Sequence, residues 1–278
     1  MADVCPRTIG EFQVQDYGEG NSTTLCIGGM SYAPQDFARL AALLPGKISV
    51  ADNPFQAGRI PWTDNFVAEL RMLYAQLLDD LQPSVVLAHS CGSFDALHLL
   101  EQMPSAECVV LLTPPNGTRA WAPESSRMSE YEFLDRCLAD LCKDIPDDLY
   151  REMLERHKRQ YAPTSKAMKA LYKREMPERR RESIEGIIEL LRSARKDILI
   201  IFGNSDPWML VDPGTVEYGQ RTTVRRMDAG HFPHVSQPGE VANLITAWMS
   251  ARREHLAGTA RQPEACAYRL DSTHHFTA

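Results

Sequence analysis

Ser90 stands in Val85-Val86-Leu87-Ala88-His89-Ser90-Cys91-Gly92, an apolar run that gives way to small residues and then to a helical pattern. A serine at a sharp strand-to-helix turn is held out of the sheet, above the positive end of the following helix. The residues two before and two after it must be small, because the strained turn brings neighbouring backbone close. Here they are Ala88 and Gly92. A serine hydroxyl is a weak nucleophile alone: it needs a base to take its proton, and the base needs an acid to fix its ring. Candidate bases are His231, in Asp228-Ala229-Gly230-His231-Phe232-Pro233, His234 three residues on, and His89 beside the serine on the opposite side of the turn. Candidate acids are Asp206, just past an apolar run, Asp212, which could cap a turn with Pro213-Gly214, and Asp228.

These residues need a frame. Apolar and polar residues alternate from Phe12 to Tyr17, which predicts an edge strand. Thr23–Ile27, Ile48–Ala51, Val85–Ala88, Cys108–Leu112, Ile198–Phe202 and Thr223–Met227 read as further strands, most of them apolar on both faces. Helices are expected at Pro34–Leu44, at Asp64–Leu81 with a stripe of Phe66, Leu70, Leu73, Leu77 and Leu81, and at Gly92–Met103. A closing helix carries Val241, Leu244, Ile245, Trp248 and Met249. Such alternation implies an α/β fold: a mostly parallel sheet with helices on both faces, whose functional loops sit at the carboxyl ends of the strands.

Between Leu112 and Ile198 the alternation stops. Helices are expected at Ser129–Cys142, opened by a capping box of Ser129 and Glu132, then at Asp147–Tyr161, Ser165–Met176 and Pro177–Arg195, with Pro146, Pro163 and Pro177 marking the breaks. We divide the chain into a discontinuous core, 1–116 and 197–255, an all-helical cap or lid at 117–196, and a tail at 256–278. The insertion holds 18 Lys/Arg against 15 Asp/Glu, a net +3 in a chain of net −7. Solvated helix faces with mixed ion pairs account for this, and so would an entry surface for an anionic substrate or acyl carrier.

The 278 residues, 44% hydrophobic and 24% charged, suffice for a sizeable core. The negative net charge argues against a nucleic-acid partner. No apolar run is long enough to span a bilayer, and the N-terminus lacks the basic-then-apolar pattern of a secretory signal. The seven cysteines show no zinc-ligand spacing. We therefore expect a reduced, cytoplasmic protein with no metal and no membrane partner. The absence of a Gly-x-Gly-x-x-Gly or phosphate-loop pattern points to no nucleotide cofactor.

From about Phe12 to Arg253 the sequence resembles the α/β-hydrolase family, whose nucleophile elbow is usually Gly-x-Ser-x-Gly. Here Ala88 takes the first position, as in the Ala-His-Ser-x-Gly form of small bacterial lipases, and Ser93 replaces a further glycine common in the family. The resemblance implies Ser90 as nucleophile, Asp206 as acid and His231 as base, in that chain order. It also implies an oxyanion hole of two backbone N–H groups, those of Cys91 and of Met30, with Gly29 second to Met30. In this resemblance Gly28-Gly29-Met30-Ser31 stands for the family's His-Gly-x segment. The insertion matches the family's cap in position and is expected to roof the pocket over Ser90. Pocket walls are sought at Gly29, Trp121 and Trp208, although Trp62, Trp121, Phe133, Tyr161 and Trp208 could equally be packing residues.

The activity this implies is that of a serine hydrolase acting on a small-molecule ester, thioester or amide through an acyl-enzyme. Three alternatives stay open: acyl transfer to an acceptor other than water, a cofactor-free lyase or oxygenase using His231 and Asp206, and a ligand- or partner-binding protein without turnover.

Overall fold

The computed structural model describes residues 6–29, 32–116, 132, 138, 139, 141–161, 184–209 and 211–259. Met30, Trp121, Phe133, the capping-box Ser129, the expected helix Ser165–Met176 and the chain from 260 onward lie outside the described residues.

Eight strands form one sheet: β1 (Arg7–Ile9), β2 (Phe12–Tyr17), β3 (Thr23–Ile27), β4 (Lys47–Ala51), β5 (Val85–His89), β6 (Cys108–Leu112), β7 (Asp197–Gly203) and β8 (Thr222–Met227). Their order is β1-β2-β4-β3-β5-β6-β7-β8. The first two pairings are antiparallel and all later ones parallel. Phe12–Tyr17 is thus not the edge: Arg7–Ile9 lies outside it, joined by a tight turn at Gly10 with φ +53°.

The central strands sort their side chains by the period of two that pleating imposes. Leu25, Ile27, Val86, Ala88, Val109, Leu111, Ile198, Ile200 and Phe202 face one side. Cys26, Val85, Leu87, Cys108, Val110, Leu112, Leu199 and Ile201 face the other. The first side is covered by Phe66, Leu70, Tyr74, Leu77 and Leu78 of a long helix (Phe66–Leu81), by Ala96 and Leu97 of a short one (Gly92–His98), and by Leu191 from Ile184–Ser193. The second is covered by Phe37, Leu40 and Ala41, and by Val241, Ala242 and Ile245 of the closing helix Pro238–Thr259. That helix runs past 255, so the segment expected as tail begins in helix. The helix expected over Pro34–Leu44 is shorter, a 3-10 turn at Pro34–Phe37 followed by Ala38–Ala41. Likewise the helix from Gly92 ends at His98 and tightens into a 3-10 turn at Leu100–Gln102. No helix among the described residues is long and apolar enough to cross a membrane.

Besides the helix Ile184–Ser193, two other described parts of the insertion pack on the core. Leu138, Cys142, Ile145 and Met153 form a cluster with Phe232 and Val235. The helix Asp147–Tyr161 is also tied to the turn that follows β3. Asp36, whose side chain is fully buried, accepts hydrogen bonds from Arg156 Nη2 at 2.7 Å, from His157 Nε2 at 2.7 Å and from the Ala33 N–H at 2.8 Å. Burial alone would raise the Asp36 pKa, but attraction to His157, the hydrogen bond from it, the Arg156 charge and the Ala33 N–H together lower it to about 2. A carboxyl depressed in the folded state contributes stability above its unfolded pKa of about 3.9 and loses it as pH falls through the folded value.

Asp36→Asn should lower the free energy of unfolding by about 3 kcal/mol at pH 7, because it removes the buried carboxylate to which Arg156 and the buried His157 both donate. Urea titrations of both proteins should show that gap narrowing from about pH 4 to about pH 2. Equal stabilities at pH 7 would show that the cluster contributes nothing.

Candidate functional site

The parallel strands end at one edge, and the loops leaving β3, β5, β6, β7 and β8 meet there. At the end of β5, Ser90 takes φ +53°, the left-handed region that a non-glycine residue enters at a cost of about 1–3 kcal/mol. The surroundings over-determine this conformation. The Ser90 N–H donates to Leu112 O at 2.9 Å, and its own carbonyl accepts from the Ser93 N–H at 2.9 Å as the helix Gly92–His98 begins. Gly92 must be glycine, since a Cβ there would lie 2.5 Å from Gly28 O. A Cβ on Gly29 would meet Ser90 Cβ at 2.6 Å, so the loop after β3 lies against the serine. Ser93, where the family commonly has glycine, is fully buried and donates its hydroxyl to Ala88 O at 3.4 Å.

His231 and Asp206 join the serine in one chain of hydrogen bonds. His231 Nε2 lies 2.8 Å from Ser90 Oγ, and His231 Nδ1 lies 2.9 Å from Asp206 Oδ2. A carboxylate only accepts, so Nδ1 carries the proton and Nε2 is left to accept from the serine hydroxyl. The other carboxylate oxygen of Asp206 accepts the Trp208 N–H at 2.8 Å, which fixes the carboxyl plane. All three side chains are buried, so their hydrogen bonds act in a medium of low dielectric. This arrangement can draw the proton from Ser90 Oγ as the oxygen attacks and hold the resulting imidazolium beside a carboxylate.

The His231 backbone is held from several sides. Its carbonyl accepts from His89 Nε2 at 2.8 Å and from Thr113 Oγ1 at 2.9 Å. From the insertion, Leu141 O accepts the His231 N–H at 3.4 Å and Asp144 Oδ2 accepts the Gly230 N–H at 2.8 Å. Burial foremost, then His234 and His231 nearby, holds the His89 pKa well below the usual imidazole range. Burial also pushes His234 down to about 3, and its ring stacks on Phe37 with centroids 4.5 Å apart. Both imidazoles are therefore neutral.

Of the competing acids, Asp212 turns away from the site: it accepts the Gly214 N–H at 2.9 Å and pairs with Arg226 at 3.0 Å. Asp228 is exposed. Cys91 opens the helix after Ser90, where the first amides have no acceptor within the helix. Trp208 is buried, and its backbone serves Asp206. Trp62 packs between Phe55 and Phe66. The residues that sequence reasoning passed over are Thr113, Asp144, and Gln56, whose Nε2 donates to Gly29 O at 3.3 Å. None has a local signal, because each acts on a backbone group distant in the chain. No group of three or more metal-ligating side chains occurs among the described residues.

Comparison with known proteins bears on this geometry. The family model described as the alpha/beta hydrolase family matches residues 25–244. Among solved structures, a putative lipase from Acinetobacter baumannii AYE is 15% identical, with 91% of this chain and 92% of that one covered and a TM-score of 0.65. The epoxide hydrolase VrEH1 from Vigna radiata is 14% identical, with 90% and 99% covered and a TM-score of 0.71. The thioesterase domain from the curacin biosynthetic pathway is 14% identical, with 88% and 99% covered and a TM-score of 0.60. At these identities the likeness is one of fold. No match was found among curated proteins. The sheet order, the loops gathered at its carboxyl edge and a family match across most of the core agree, and the chain belongs to the α/β-hydrolase family.

Proposed function

We propose that the protein is a serine hydrolase that cleaves an ester, thioester or amide through an acyl-enzyme. The observation that carries this reading is the unbroken Ser90–His231–Asp206 chain, with links of 2.8 and 2.9 Å, at the carboxyl ends of β5, β8 and β7. Ser90 Oγ attacks the acyl carbonyl while His231 Nε2 takes its proton, and Asp206 keeps the ring in the receptive tautomer. The oxyanion is held by the Cys91 N–H and by the N–H of Met30, whose neighbour Gly29 lies against Ser90. His231 then gives its proton to the leaving group. Water, or another acceptor, attacks the acyl-enzyme by the same route in reverse.

A serine at the elbow supports this reading over haloalkane dehalogenase or epoxide hydrolase chemistry, which in this family calls for an aspartate there. The insertion would roof the site and exclude water from the acyl-enzyme. Its net +3 suits an anionic acyl carrier as donor, so carrier-linked thioesters belong in the substrate panel beside simple esters of graded chain length.

Ser90→Ala should abolish labelling by a fluorophosphonate and cut ester hydrolysis by about 10³-fold or more, since the three groups act as a unit. A folded variant that loses less than about tenfold would reject Ser90 as the nucleophile, and near-normal turnover of the true substrate by that variant would favour lyase or oxygenase chemistry, in which the serine only positions substrate.

Asp206→Asn should lower kcat by about 10³-fold, because an amide can donate to Nδ1 and so stabilise the wrong tautomer. Asp212→Asn should stay within about threefold of the parent, as an exposed cap remote from the base. Comparable losses in both variants would reject Asp206 as the orienting acid.

Gly29→Ala forces a methyl to within 2.6 Å of Ser90 Cβ. Hydrolysis should fall by about 10-fold or more, given what small displacements of reacting groups cost, while the circular dichroism spectrum is unchanged. Full activity would mean that the loop after β3 does not abut the reacting centre.

A further inference from the structure

The carbonyl of His231 has two lone pairs, and two side chains fill them. His89 Nε2 approaches at 2.8 Å from the last residue of β5, and Thr113 Oγ1 at 2.9 Å from the residue after β6. These strands are neighbours in register, His89 opposite Leu112, so the two donors stand side by side. A carbonyl cannot donate, so His89 is the Nε2–H tautomer, with Nδ1 making no hydrogen bond among the described residues. It is almost wholly buried, with 1% of its surface exposed, and its ring lies 5.0 Å from those of His231 and Phe232 and 4.5 Å from that of His234.

Thr113 supplies an independent observation. It is fully buried at φ +44°, a conformation that opposes a β-branched side chain. Such a residue persists only where its surroundings over-determine it, at a cost of about 1–3 kcal/mol. Its N–H is anchored to Ile201 O at 2.7 Å, and its hydroxyl is spent on the His231 carbonyl.

We propose that His89 and Thr113 are positioning residues: together they clamp the His231 carbonyl and thereby aim the imidazole between Ser90 and Asp206. The inference rests on the serine-hydrolase reading and deepens it. A histidine ring is set by its backbone and two side-chain torsions. Asp206 restrains the ring at Nδ1, and the clamp restrains the backbone from which the torsions start. His89 thus works as a neutral donor, with no proton of its own transferred in the reaction.

The test uses the whole chain, with p-nitrophenyl butyrate as substrate and a fluorophosphonate as probe. Glutamine places an amide N–H near the position of a histidine Nε2 without an ionisable group, whereas methionine fills similar space without a donor. We expect His89→Met and Thr113→Val to lower kcat by about 10- to 100-fold with KM changed less than about threefold, as for misplacement of a reacting group. His89→Gln and Thr113→Ser, which keep the donors, should recover most of the loss. If His89→Met does not fold, the Thr113→Val and Thr113→Ser pair carries the test alone. Variants lacking the donors but with unchanged kcat overturn the clamp, as does a His89→Gln loss equal to that of His89→Met, which would make His89 an acid–base group. A folded wild-type protein that neither hydrolyses the ester nor takes the label overturns the proposed function and this inference with it. Active wild type with insensitive variants overturns the inference alone.

Discussion

Everything at this site depends on one backbone conformation, the left-handed turn at Ser90 between a strand buried on both faces and a helix that starts at once. A serine relaxed to strand or helix geometry would aim its hydroxyl away from His231 Nε2. The turn costs about 1–3 kcal/mol, which the molecule offsets by packing against it from every direction. Gly92 lets the helix approach the Gly28 carbonyl, Gly29 lies against the serine side chain, and the Leu112 carbonyl takes the serine N–H. These contacts come from β3 and β6, the two strands flanking β5. The parallel sheet therefore supplies the rigidity that the strained turn consumes.

The base is held differently. His231 follows the last strand and is reached by groups from β5, β6, the loop after β7 and the insertion. Asp144 binds the Gly230 N–H and the Leu141 carbonyl binds the His231 N–H, while Phe232 and Val235 pack into the cluster built by Leu138, Cys142, Ile145 and Met153. The described residues from Leu138 to Met153 thus buttress the histidine loop. The buried Asp36, bonded to Arg156 and His157, ties the same helix to the turn after β3. Removing the insertion would take away supports of the base as well as any roof, so a loss of activity after deletion would not isolate a lid.

Much of this was legible in the sequence because it obeys local rules. Apolar runs alternating with helical stripes give the sheet and its covering helices, and the small residues around Ser90 mark the turn. Asp206 follows a strand buried along nearly its whole length, whereas His231 follows the half-exposed β8, and the resemblance to the family's acid and histidine loops is what singled out both residues. What escaped was of another kind. Arg7–Ile9 is short and half-exposed, too little for a strand pattern, so β2 read as the edge. In the helix Phe66–Leu81 the buried face is made by Phe66, Leu70, Tyr74, Leu77 and Leu78, with Leu73 and Leu81 only partly buried at its margin, a rotation of the stripe that apolar spacing alone does not fix. Thr113 and Asp144 act through backbone groups more than 80 residues away in the chain, a relation no local pattern encodes. His89 was legible as a histidine beside the nucleophile, but not as a donor to the loop that carries the base.

The central claim is a covalent intermediate on Ser90. Rapid mixing with a p-nitrophenyl ester, followed by acid quench and peptide mass spectrometry, tests it most directly. A burst of p-nitrophenol close to one equivalent per chain is expected wherever deacylation is the slower step, with an acyl group on the peptide containing Ser90. Turnover of the ester with the acyl group found on another residue, or with isotopic water showing attack without any enzyme-bound acyl group, would contradict it.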